Sequence, residues 1–216
     1  MEMKLHKQLD AYLTDSNRLH RLYHHTRERF EAHRMIAHNW DHIYRDIINA
    51  IWIGEAEKAD MQVVLPAMIL HDIGFLYDTD FRTHHLVGYA RCKAFLADWP
   101  EYHAEKIARC IRAHKGNTHG FGIAPATLEE QVVCDADSID KTGYIGVFQG
   151  IKAFVEFTEN GLESYRWLYK MAEYFADTKE VEFYTATGKR IADSRGGDLR
   201  ATFCRRALDE LAAYRY

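Results

Sequence analysis

Residues 61–75 read MQVVLPAMILHDIGF. Val63 to Leu70 is the longest apolar run of the chain, eight residues. A membrane span needs roughly 20 apolar residues, so the run reads as a short, strongly apolar helix that Gly74 can end. His71 and Asp72 stand side by side where it stops. Adjacent helical side chains diverge by about 100°. A metal ion shared by this pair would therefore lie beyond the helix edge and need donors from elsewhere. The plain alternative is a solvated His–Asp pair at a helix terminus.

Outward from this stretch, most of the chain has a helical period. Leu5, Leu9, Tyr12, Leu13 and Leu19 mark one amphipathic helix, and Ile43, Ile47, Ala50 and Ile51 a second. Further helices are expected at about 84–97, 102–114 and 128–142. Three or four more follow Tyr144, separated near Asn160–Gly161, between Asp177 and Tyr184, and at Gly196–Gly197. Residues 115–125, KGNTHGFGIAP, read as a glycine-rich loop. No segment alternates polar and apolar residues between hairpin turns, so the expected fold is all-α. No repeat or linker divides it. We expect one domain over 1–216, with a site-bearing half at about 30–150 and a C-terminal helical packing region at about 151–216.

The chain has 216 residues, 47% hydrophobic and 28% charged, a balance that suits one domain and argues against disorder. Three prolines permit long helices. A net charge of −4 gives no basic footprint for a nucleic-acid polymer, and no membrane anchor stands out. The start, MEMKLHKQLDAYL, lacks a signal-peptide core. Cys92, Cys110, Cys134 and Cys204 form no CxxC, which suits free thiols in a cytoplasmic protein. Histidine is abundant, with 13 residues. It titrates near neutrality and binds metals.

His42 lies in HNWDHIYRD, 29 residues before His71, and Asp137 lies in VVCDADSID, 65 residues after Asp72. The order H…HD…D, carried by WDHIYR, LHDIGF and DADSIDKTGYIG across residues 38 to about 150, resembles the HD superfamily of metal-dependent phosphohydrolases. The resemblance implies an all-α helical bundle and a metal held by His42, His71, Asp72 and Asp137. On a helix Asp135 and Asp137 point about 200° apart and cannot both face one ion. The family pattern puts the ligand at Asp137, with Asp140 one turn on, and leaves Asp135 as a helix N-terminal or supporting carboxylate.

His84 shares a helix face with Gly88, Cys92 and Phe95, and His114 extends the stripe Ile107, Cys110 and Ile111. Such histidines are often ordinary core residues. In several members of the family, histidines at these points hold a second metal, with Asp72 as the natural bridge. His85 shares its face with Tyr89 and Lys93, which suggests solvent. His38, four residues before His42, is either a surface residue or a proton donor to a leaving group. His6, His20, His24, His25, His33, His103 and His119 have no constellation around them.

Imidazole and carboxylate without thiolate favour one or two divalent ions among Mn, Fe, Co, Ni, Zn and Mg. Such ions acidify bound water and neutralise phosphoryl charge. Phosphate donors are sought in Lys115, Lys141 and Arg82, with Arg45 close to His42; an Asp137–Lys141 ion pair is the competing reading for Lys141. The catalytic set read here is His71, Asp72, His38 and Lys141. The stretch Thr187–Arg195 is either a reach over the pocket or a solvated helix face. Trp40, Phe75, Tyr77 and Phe121 are aromatic residues suited to shaping substrate choice.

The chain departs from some branches of the family. It lacks the GYP motif of cyclic-dinucleotide phosphodiesterases and has Lys115 where they carry a second histidine. It lacks the long additional domains of alarmone enzymes. Asp46 replaces the usual small residue or valine after the arginine of the second helix. The expected function is a metal-dependent phosphohydrolase acting on a small phosphorylated substrate such as a nucleotide. Alternatives are a di-iron oxygenase on the same scaffold and a non-catalytic nucleotide-sensing module.

Overall fold

The structure, a computed structural model, describes residues 5–78, 80–117, 120, 122–157, 167–177 and 181–214. Among these are α-helices and short 3-10 turns, with no strand. The helix expected from Leu5 to Leu19 is two, α1 (Lys7–Asp15) and α2 (Asn17–Ala32). The break is at Ser16, whose backbone is extended and whose hydroxyl accepts from Leu19 N at 3.2 Å. A serine cap of this kind starts a new helix where the apolar period alone suggests continuity.

α3 (Trp40–Glu57) begins under Asn39, which accepts from His42 N. It ends at Lys58, which takes the left-handed conformation (φ 61°). α4 (Met61–Leu70) is capped by Asp60 and is buried on every side from Val63 to Leu70, as expected of a helix apolar all round. A 3-10 turn, Ile73–Leu76, follows. Then come α5 (His84–Arg91), α6 (Glu101–Ala113) and α7 (Leu128–Ile139). α7 starts under Thr127, with the Glu130 carboxylate reaching back to Ala126 N at 2.7 Å. The remaining described helices are α8 (Gly143–Phe157), α9 (Trp167–Ala176), α10 (Ala186–Ser194) and α11 (Arg200–Ala212).

The main core packs α3, α4, α6 and α7 around Ile43, Ile47, Leu65, Ile69, Ile111 and Val132. α8, α9 and α11 close over a smaller core of Met171, Ala172, Phe175 and Cys204. α10 returns to α7 and α3. Its N-terminus is tied down by Asp135, which accepts from Tyr184 N (2.9 Å), Thr185 N (2.7 Å) and the Thr185 hydroxyl (2.7 Å).

Two local expectations change. Gly74 does not end α4 with a left-handed turn; it lies inside the 3-10 turn. A Cβ there would meet the His84 carbonyl oxygen at 1.9 Å, so glycine is what lets the start of α5 close on this turn. α5 is also shorter than the expected 84–97, giving way to a 3-10 turn at Cys92–Ala94. The four cysteines are buried and free. No described helix is long and apolar enough to cross a membrane. His119, Phe121 and the Asn160–Gly161 break lie outside the described residues.

Candidate metal centre

Three helices deliver the four residues of the motif. His42 sits on the first turn of α3, His71 and Asp72 just past α4, and Asp137 near the end of α7. Asp72 is the hub. Its Oδ2 lies 3.5 Å from His42 Nε2 and 3.4 Å from His71 Nε2. Its Oδ1 lies 3.3 Å from His84 Nε2 and 3.5 Å from His114 Nε2. Asp137 Oδ1 is 3.5 Å from His42 Nε2. One carboxylate thus faces two donor groups, one through each oxygen. Donor atoms of His42, Asp46, His71 and Asp137 lie within 4.8 Å of one another, and so do those of Asp72, His84 and His114.

The imidazoles are oriented from behind. His71 Nδ1 donates to Met68 O (2.8 Å), His84 Nδ1 to Phe81 O (2.9 Å) and His114 Nδ1 to Ile111 O (2.7 Å). A carbonyl only accepts, so Nδ1 carries the proton and the Nε2 lone pair of each neutral ring faces the cluster. His42 Nδ1 bonds Asp140 Oδ2 at 2.9 Å, and Arg45 grips both oxygens of Asp140.

Buried acceptors converge here without donors. Among the described residues His42 Nε2, His71 Nε2 and Asp72 Oδ2 have no hydrogen-bond partner. Orphaned buried polar atoms are expensive, and a divalent cation would satisfy all three. The donor set, imidazole nitrogen and carboxylate oxygen, is that of a site for such an ion. The residues therefore fit the group that the motif implies.

Burial would raise the Asp72 carboxyl, but His71, His114 and His42 outweigh it and hold it well below the usual range. Asp137 is likewise held low against its burial, by Lys141 and the histidines. Burial pushes His84 down to about 3 and His114 down as well. Ionised Asp72 and Asp137 beside neutral His84 and His114 are ready ligands. Burial would lower His42, but Asp46 and Asp140 outweigh it and raise it well above the ordinary histidine range. Asp46 differs: burial raises it well above the usual range.

A cavity of about 730 Å³ opens on the centre. Asp72, His84, His114 and Asp137 line its floor, with His38, Lys115 and Lys141 beside them. Lys141 pairs with Asp137 at 2.7 Å while still facing the cavity, so the ion pair and the pocket placement both hold. Lys115 donates to the Phe81 carbonyl, and burial together with Lys141 lowers it to about 8. His38 is not helical; its Nδ1 lies 2.5 Å from Glu156 Oε1 of α8.

Arg82 does not line this cavity. It is exposed and bound to Asp80, two residues away. The solvent face expected for His85 is not found: His85 is fully buried, because α5 packs on both the 3-10 turn and α6. Lys189 pairs with Asp193 in solvent, and neither it, Arg190 nor Arg195 lines the cavity. Of the four aromatics considered, Trp40 is in the main core, Tyr77 is exposed and Phe75 stacks on His84 at 4.0 Å.

The cavity's far wall comes from the C-terminal helices, which the sequence presents only as a packing region. Phe154 and Phe157 of α8, Tyr174 and Phe175 of α9, and Arg200 of α11 line it. The three-residue spacing of Phe154 and Phe157 shows one helix face, but which surface that face meets is a long-range matter.

The HD domain family model matches residues 22–142, more than half of the chain, and this span contains every donor described above. The chain belongs to the HD domain family. The Uncharacterized protein YpgQ of Bacillus subtilis (strain 168) is 28% identical over 112 residues, 51% of this chain and 54% of that protein, so the match spans about half of the relative's length. Among solved structures, a protein of Lactobacillus plantarum is 21% identical with a TM-score of 0.61, covering 92% of this chain and 97% of that one. A predicted HD superfamily hydrolase from an uncultured Thermotogales bacterium is 22% identical with a TM-score of 0.59, covering 88% and 91%. B. subtilis YpgQ in complex with ADP is 19% identical with a TM-score of 0.55, covering 92% and 95%. At these identities the structures share the HD domain fold.

Proposed function

We propose that this HD domain is a metal-dependent phosphohydrolase of a small phosphorylated molecule, a nucleotide being the favoured class. The observation that carries the reading is the set of orphaned buried acceptors, His42 Nε2, His71 Nε2 and Asp72 Oδ2, beside a cavity that Asp72 lines together with Lys115 and Lys141. His42, His71, Asp72 and Asp137 would hold one ion, and Asp72, His84 and His114 a second. Bound ions would supply an acidified water and neutralise phosphoryl charge.

The chain's own residues do the rest. Lys115 and Lys141 place two ammonium groups beside the donor cluster, where a phosphoryl oxygen would bind. His38, held through Nδ1 by Glu156, lines the cavity and would be the group to protonate a leaving oxygen. Phe81, Phe157 and Phe175 give an apolar wall for the organic part of the substrate. A nucleobase suits such a wall, and YpgQ, of the same fold, has been solved with ADP.

The test is phosphate release from a panel of phosphate monoesters, diesters and nucleotides, with oxygen uptake followed in parallel. Chelator-sensitive phosphate release with no oxygen consumption is expected. Iron-dependent oxygen uptake without phosphate release would support the oxygenase alternative. Binding without turnover would support the sensing alternative.

A further inference from the structure

Asp46 stands one turn after His42 on α3, among Ile43, Ile47 and Ile51, and is fully buried. Among the described residues neither of its carboxylate oxygens has a hydrogen-bond donor. His42 Nδ1 lies 3.1 Å from Asp46 Oδ2, but its hydrogen bond is made to Asp140. His71 Nε2 lies 3.7 Å from the same Asp46 oxygen. Since His71 Nδ1 donates to Met68 O, it is a lone pair, not a proton, that faces this carboxylate. Burial pushes the Asp46 carboxyl well above the usual range, and at 3.7 Å it makes no hydrogen bond to His71 in either protonation state; a cation between the two groups would satisfy both.

We propose that Asp46 is a further protein donor to the ion held by His42, His71, Asp72 and Asp137. The proposal rests on the metal-dependent reading above. One donor atom from each of His42, Asp46, His71 and Asp137 already falls within 4.8 Å of the others. With Asp46 the first group offers two imidazoles and three carboxylates, whereas the Asp72, His84 and His114 group offers two imidazoles and one carboxylate. The oxygen-rich set favours a hard, high-coordination ion such as Mn²⁺, while Zn²⁺ is content with four donors. The two groups are thus chemically unlike, and Asp46 makes the difference.

The experiment titrates Mn²⁺ and Zn²⁺ separately into the metal-stripped full chain, as wild type, Asp46→Asn and Asp46→Val, by calorimetry. Asparagine keeps the shape and removes the charge; valine suits the apolar helix face. The tightest Mn²⁺ site is expected to weaken tenfold or more in both variants, with Zn²⁺ affinity changing less than threefold. Unchanged Mn²⁺ affinity would overturn the assignment. Equal losses for the two ions would overturn it too, since Asp46 would then act only by holding His42. If one variant fails to fold, the other decides; loss of helical structure in both would make Asp46 a structural residue and reject the proposal. A wild type that binds neither ion would instead overturn the metal-dependent reading itself.

Discussion

His84 Nε2 and His114 Nε2 lie 3.1 Å apart, with Asp72 Oδ1 within 3.5 Å of each. Each ring is backed through Nδ1 by a carbonyl three residues earlier, so two lone pairs are aimed at one place. A cation between them removes the repulsion. Elemental analysis of protein purified without chelator should give near two divalent ions per chain, falling to about one in His84→Ala. About one ion in both proteins would return His84 to the cavity wall.

Lys115 and Arg82 separate a cavity cation from a surface one. Lys115→Met should raise KM for a phosphorylated substrate by roughly tenfold with a smaller change in kcat, the size of one charge-assisted contact. Arg82→Ala should leave both constants within about twofold, because Arg82 is exposed and bound to Asp80. A large KM effect at Arg82 would contradict the placement of the substrate.

Asp135 carries structure, not metal. Removing its carboxylate in Asp135→Ala orphans Tyr184 N and Thr185 N at the start of α10. A loss of about 3 kcal/mol, or roughly 6–12 °C in Tm, is expected. Metal content should not change. A variant with wild-type Tm and lost metal would reverse this assignment.

Glu156 fastens α8 to the segment before α3, accepting from Ile36 N (2.6 Å) and Ala37 N (2.8 Å) and holding His38. Burial would raise its carboxyl, but His38 and the two backbone donors outweigh this and lower it. A depressed carboxyl stabilises the fold above its ordinary pKa, and that stability fades as pH falls through the folded value. Glu156→Gln should therefore lower Tm by about 3–8 °C at neutral pH. The difference from wild type should shrink below the ordinary glutamate value of about 4.3. A difference that is constant from pH 7 to 3 would show that the charge is irrelevant.

The residues that cluster at the candidate centre were legible in the sequence where the chemistry is local. His71 and Asp72 end an apolar run, and Asp137 interrupts one. The helical fold was legible too, because its apolar period persists through most elements. Ser16 was missed because a cap overrides a period that would otherwise run on from α1 to α2. The face of His85 was misread because an eight-residue helix can be buried on two sides. The role of Glu156 has no local signal at all: its backbone partners lie 119 and 120 residues away. For the same reason the aromatic wall of α8 and α9 became visible only when those helices folded back over the centre. Asp46 was visible as an odd residue, and the three-dimensional structure supplied its surroundings.

The proposed hydrolysis depends on an ion held by Asp72. The direct measurement is phosphate release by wild type and Asp72→Ala, each after chelation and again after readdition of Mn²⁺, with bound metal determined in the same samples. Chelated wild type is expected to be inactive and to recover with Mn²⁺, whereas Asp72→Ala should bind little metal and show no turnover in either state. Full activity in metal-free Asp72→Ala would contradict this dependence.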